Sequence, residues 1–154
     1  MALDPLSGSE SRFWELRRRG LGFADIGRET GVTRQAVYKA LLKADREMSS
    51  AFEDVAGTYR IDLEKMDPET GIAVGYSQAL GSKVVLAYSP GRGIITWYEY
   101  QGQCNDCARR EDCLSTLRAE AERLDLTREL DWDREPAEIA EELMRRAWPE
   151  GFGR

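Results

Sequence analysis

The chain has 154 residues, 42% hydrophobic and 32% charged, which suits one compact domain or two small ones. Its apolar runs are too short for a membrane-crossing helix, and MALDPLSGSE lacks the basic start and apolar stretch of a signal peptide. The expected location is therefore cytoplasmic, where clustered thiols stay reduced and more often bind metal or sense redox state than form structural disulfides.

Histidine is absent. That removes the commonest general base at neutral pH, every Ser–His or Cys–His couple and every Cys/His zinc set. No phosphate-cradling glycine loop and no nucleophile elbow occurs either, so a non-enzymatic role is expected. The net charge of −6 is unevenly spread. Residues 1–56 hold nine basic and nine acidic side chains, 57–103 four and five, and 104–154 nine and fourteen. A neutral N-terminal third can still present a basic face to nucleic acid.

Residues 1–8 read as a disordered N-terminus. Ser9 or Ser11 then caps a first helix with Phe13, Trp14 and Leu16 inward, ended by left-handed backbone at Gly20 and Gly22. Phe23 to Thr30 forms a short second helix with Ile26 inward and Gly27 at a close crossing. Gly31 takes the tight turn, Val32 plugs the core, and Thr33 caps a third helix with Val37, Ala40, Leu41 and Ala44 buried.

The stretch FADIGRETGVTRQAVYKAL resembles the helix-turn-helix of bacterial sigma-factor region 4 and of archaeal transcriptional regulators built on that module. A small residue at Gly27, the turn glycine four positions later and Val37 six beyond that match the family spacing, within residues 9–47. The departure is Gly27 itself, where alanine is usual; it weakens the helix without closing the crossing. The resemblance implies a partner, double-stranded DNA, with Thr33, Arg34, Gln35, Tyr38 and Lys39 aimed at the major groove. There Arg34 suits guanine and Gln35 adenine by paired hydrogen bonds, while Arg28, Lys43 and Arg46 suit phosphates. The alternative is a small helical bundle whose third helix shows its polar face to water.

Val37, Leu41, Ala44, Met48, Ala51 and Val55 continue the third helix at heptad spacing, with Phe52 beside them. A homodimer seam is expected there, since such regulators bind paired half-sites; the stripe packing on the chain's own sheet is the other reading. Residues 9–56 thus form a DNA-binding domain with an extended helix.

From Gly57 the period becomes two. YRIDLEKM sets Tyr59, Ile61 and Leu63 on one face, IAVGYS sets Ile72, Val74 and Tyr76, KVVLAY sets Val84, Leu86 and Tyr88, and IITWYEY follows. Four strands joined by short turns predict an antiparallel meander with one apolar face, covered by the long helix or a C-terminal one. Tyr76, Tyr88, Trp97, Tyr98 and Tyr100 suit either a pocket for a small-molecule effector or the sheet's own packing.

Every cysteine lies in CNDCARREDC: Cys104, Cys107 and Cys113, spaced C-x2-C-x5-C. Two intervening residues let the first two sulfurs face one ion, and the third opens a helix over LSTLRAEAERL whose dipole favours thiolate. The spacing resembles iron–sulfur segments of several nucleases and radical enzymes, and zinc knuckles, but their fourth cysteine is missing here. Three arrangements fit: a [4Fe–4S] cluster with one iron open, zinc completed by Asp106, Glu111 or Asp112, or a reversible disulfide. Arg109 and Arg110 either offset thiolate charge or are solvated. The sheet and this segment make a unit over 57–126.

Residues 127–154 form an acidic C-terminal helix and tail. In REPAEIAEELMRRAW, Ile139, Ala140, Leu143, Met144, Ala147 and Trp148 recur at helical spacing, suited to packing on the sheet; PEGFGR should fray. The expectation is an α+β transcriptional regulator whose thiol segment responds to metal or redox state. The alternatives are a protein-binding adaptor with a zinc staple, and a small nuclease or recombinase accessory enzyme suggested by the cysteine spacing alone.

Overall fold

The computed structural model describes residues 4–99 and 104–147. The fold is α+β: three N-terminal helices, a four-stranded antiparallel sheet and C-terminal helices. Tyr100 and Trp148, and the PEGFGR tail, lie outside the described residues.

Helix α1 (Gly8–Arg18) is capped by Ser7, not by Ser9 or Ser11. The Glu10 N–H donates to Ser7 Oγ at 3.3 Å and the Ser7 N–H donates to Glu10 Oε1 at 3.2 Å, a reciprocal capping box. Burial alone would raise the Glu10 carboxyl; the bonds from Ser7, together with Glu47 and the Lys43 charge, outweigh it and hold the group below its ordinary range. From Asp4 onward the structure differs from the disorder expected over residues 1–8; residues 1–3 lie outside the described residues. Leu6 is buried, and the Asp4 carboxylate accepts from the Tyr88 hydroxyl at 2.8 Å and the Gly91 N–H at 2.9 Å. Trp14, fully buried, donates its indole N–H to the Pro68 carbonyl at 2.8 Å and packs edge-on against Tyr88. These contacts fasten the N-terminal helices to the sheet.

Gly20 takes the left-handed conformation as expected, but Gly22 does not; it is extended, leading into α2 (Phe23–Thr30). Gly31 closes α2 at φ 75°, and the N–H groups of Gly31 and Val32 both donate to the Gly27 carbonyl, at 2.9 and 3.1 Å. Thr33 then caps α3 (Arg34–Tyr59) by accepting from the Ala36 N–H at 3.1 Å. Two details differ from expectation. Val32 is 40% exposed and plugs nothing, because the turn lifts it outward. At Gly27 an added Cβ would lie 2.6 Å from the Val32 carbonyl oxygen, so the alanine usual in the resembling modules does not fit this crossing. Gly27→Ala is expected to destabilise the protein by about 1–3 kcal/mol, read as a lower denaturation midpoint at unchanged m-value.

The stripe on α3 is filled by the chain itself. Val37, Leu41, Ala44, Met48 and Phe52 are each at most 1% exposed, packed with Phe13, Trp14 and Leu16 of α1, Ile26 of α2 and one face of the sheet. The dimer expected along this seam is therefore corrected: intramolecular packing uses the same spacing and already occupies it. The helix also continues through Gly57 to Tyr59, so Tyr59 ends a helix rather than opening a strand. Arg60, left-handed at φ 57°, turns the chain into the sheet.

Strands β1 (Ile61–Asp67), β2 (Ile72–Ser77), β3 (Ser82–Ser89) and β4 (Gly93–Tyr98) pair in sequence order, all antiparallel. The single apolar face is the next correction. Ala73, Val84, Leu86 and Tyr88 face α1–α3, while Ile72, Val74, Val85 and Ala87 face the opposite way. That second face is covered by α4 (Arg110–Arg123) through Leu117 and Ala121, and by α5 (Pro136–Ala147) through Ile139, Ala140, Leu143 and Met144. The result is a helix–sheet–helix sandwich in which the C-terminal helix packs on its own sheet rather than forming a separate tail.

Candidate functional site

Two features are candidates: the leading edge of α3 and the cysteine segment. Helix α3 is anchored on one side by its core stripe and by Arg17 of α1, whose guanidinium grips the Asp45 carboxylate at 2.7 and 3.0 Å. Its first turns are held against the core by Val37 and Leu41. Thr33, Arg34, Gln35, Tyr38 and Lys39 are all exposed, Tyr38 by 49%. Arg34, Lys39 and Arg46 have no ion-pair partner among the described residues. Three neutral apolar groups, Val32, Tyr38 and Leu42, share this exposed surface. The Tyr38 ring stands edge-on to Phe23 of α2 at 5.6 Å, fixing its direction.

The remaining basic residues expected at phosphates are partly committed. Arg28 pairs with Asp25 one turn earlier, and Lys43 lies 3.5 Å from Glu47 and 3.9 Å from Glu10. Exposed pairs of this kind are worth about 0–1 kcal/mol, so both cations remain exchangeable toward a stronger anion. The cationic surface on this side is therefore Arg34, Lys39 and Arg46, with Lys43 and Arg28 flanking.

The cysteine segment leads into the opposite layer. The Cys107 N–H donates to the Cys104 carbonyl at 3.3 Å, the Arg110 N–H to Cys107 at 3.2 Å and the Cys113 N–H to Arg109 at 2.9 Å. The chain thus winds directly from the C-x2-C turn into α4, which begins at Arg110, earlier than LSTLRAEAERL suggests. Cys107 is exposed while Cys104 and Cys113 are half-buried, and all three are free thiols. Burial pushes the Cys113 thiol above its ordinary value; Arg109 opposes this, and Cys107, Cys104 and Asp112 add to it. Three sulfurs with Asp112 nearby are chemically suited to zinc or to an iron–sulfur cluster. Among the described residues no group of three or more Cys, Asp or Glu side chains converges on one point. Arg110 is taken by Glu135 at 2.9 Å, which leaves Arg109 as the arginine beside the thiols.

One connection between the two features has no motif in the sequence. Glu120 of α4, 2% exposed, accepts from Arg123 at 2.5 Å and lies 3.9 Å from Arg18 of α1. Arg123 in turn donates to Glu15 of α1 at 2.8 Å. Arg18 also stacks over the Trp14 ring at 5.0 Å. Burial presses the Arg18 guanidinium below its usual value, with Glu120 opposing that. This four-residue clasp joins the cysteine-bearing helix α4 to α1. Glu120 sits at an inward position of α4 in line with Leu117 and Ala121, and a charge on an apolar stripe was the available clue.

No protein-family model matches this chain. No curated protein or solved structure matches it either, so its own residues carry the functional argument.

Of the aromatic residues considered for a pocket, Tyr88 is buried in the core and Tyr76 is exposed at the far hairpin. Trp97 lines a cleft of about 500 Å³ beside β4. Among the described residues no helix is long and apolar enough to cross a membrane.

Proposed function

We propose that the protein is a sequence-specific, double-stranded-DNA-binding transcriptional regulator that reads the major groove with the first turns of α3. The observation that supports this most directly is the exposed edge Thr33–Lys39, carrying Arg34, Gln35 and Lys39 unpaired on a helix whose other side is immobilised in the core. Arg34 offers the bidentate fork that guanine accepts, and Gln35 the amide that adenine accepts. Arg46, Lys43 and Arg28 provide the phosphate-facing charge. Val32 and Tyr38 add apolar surface suited to a thymine methyl.

Cys104, Cys107 and Cys113 are the residues that would hold a zinc ion or an iron–sulfur cluster. A bound metal would staple the 104–113 segment to the start of α4. The protein's own part is transmission: the Glu120–Arg123–Glu15–Arg18 clasp supports a route by which a change at the start of α4 reaches α1 and the helices packed on it. If two half-sites are read by a homodimer, its contact must use a surface other than the buried α3 stripe.

The test is selection of bound duplexes from a random pool, followed by a salt titration. A defined motif and an affinity falling by orders of magnitude between 50 and 200 mM salt, as expected for about six phosphate contacts, support the reading. Binding without sequence preference, or affinity insensitive to salt, removes it and favours a protein-binding adaptor. Brown protein containing iron and sulfide after oxygen-free purification supports the cluster; one zinc per chain supports the staple; neither metal leaves thiol oxidation as the responsive chemistry.

A further inference from the structure

A cleft of about 500 Å³ runs along the outer side of β4. Its size falls within the range of small-molecule sites. Three parts of the molecule meet around it: Tyr59 at the last turn of α3, Trp97 on β4, and the segment holding Cys107, Arg109 and Cys113. β4 is an edge strand, so among the described residues alternate backbone N–H and C=O groups along it have no strand partner on this side.

The charge in the cleft is opposite to that of the chain. Arg92 and Arg109 both line it, against the single carboxylate of Asp112, in a protein of net charge −6. Neither guanidinium has a carboxylate partner among the described residues. Arg92 donates to the neutral hydroxyls of Thr116 and Ser115, which position it without neutralising it. The N-terminal end of α4 opens on the same space and adds a positive dipole end. Ile94, Ile95 and the rings of Trp97 and Tyr59 form the apolar part of the lining.

We infer that this cleft binds a small organic anion with a flat apolar body, its carboxylate or sulfonate held by Arg92 and Arg109 and its rings against Trp97 and Tyr59. Such a ligand touches the far end of the reading helix and covers two of the three thiols at once. The inference goes beyond DNA binding and does not depend on it.

The probes are 8-anilinonaphthalene-1-sulfonate and its uncharged counterpart N-phenyl-1-naphthylamine, titrated by fluorescence into the full chain. The anion is expected to bind saturably at one site, at least tenfold more tightly than the neutral compound. Arg109→Gln, at an exposed loop position, should weaken the anion at least tenfold with an unchanged thermal midpoint. Arg92→Lys, which keeps a donor near Thr116, should weaken it less. The anion should also slow alkylation of Cys107 and Cys113 by N-ethylmaleimide, mapped by mass spectrometry. Cys104, which does not line the cleft, serves as the internal reference and should react at its original rate. Equal affinity for the two probes, an unaffected Arg109→Gln variant, or equal protection of all three cysteines would each overturn the inference. None of these readings involves DNA, so failure here is distinguishable from failure of the regulator reading.

Discussion

Arg34→Ala is expected to weaken binding to the selected DNA by about 1–3 kcal/mol, roughly fivefold to 150-fold, and to relax preference at one base position. Arg34 is exposed and makes no ion pair among the described residues, so the thermal midpoint should not move. Lys39→Ala and Arg46→Ala should behave differently. If they contact phosphates, each lowers affinity for all sequences alike and reduces the slope of log K against log salt by about one. A fluorescence-anisotropy titration of matched and single-mismatch duplexes at several salt concentrations separates the two patterns. Uniform loss across sequences in Arg34→Ala would move that residue from base reading to phosphate contact; no loss at all would remove the α3 edge from the interface.

Glu120→Ala carries the largest expected effect on stability. The carboxylate is 2% exposed and stands between Arg123 and Arg18, whose side chains are 18% and 10% exposed. Its removal leaves Arg18 short of its counter-charge while Arg123 keeps Glu15, so the cost should approach but not exceed the roughly 3–5 kcal/mol of a fully uncompensated buried charge. Glu120→Gln retains the shape and one acceptor oxygen and should cost less. Chemical denaturation of the three proteins measures the series. A cost for Glu120→Ala below about 1 kcal/mol would mean that solvent already screens the clasp, and the route from α4 to α1 would lose its physical basis.

The helix-turn-helix was readable because its signals are local. Gly31 must adopt a left-handed turn and Thr33 must cap, and both act within a few residues. The strand order followed equally from turns as short as DPETG and QALGS. The true first cap was also present, since SGSE places Ser7 three residues before Glu10, but three nearby serines compete for that role. The second covered face of the sheet had a signal too. Val84 to Tyr88 contains no polar residue at all, which is the pattern of a strand buried on both sides rather than one.

Other features were invisible for a physical reason. A heptad stripe buries itself equally well against a second copy or against the chain's own sheet, so Val37 to Phe52 did not decide between them. Val32 is apolar in a turn, where periodicity says nothing about direction. The environment of Cys113 depends on how far α4 sinks toward the sheet, and the pairing of Glu120 with Arg18 spans most of the chain. Spacing along a sequence constrains neither.

Helix α3 is at once the spine of the molecule and its leading edge. Positions 34, 35, 38 and 39 project from a backbone secured by Val37, Leu41 and Ala44, which are wholly or almost wholly withdrawn from water. Substitutions at the front therefore need not be compensated behind. On the proposed reading, duplex preference would be adjustable at these four positions one at a time with the fold left intact, whereas replacing Val37, Leu41 or Ala44 would cost stability.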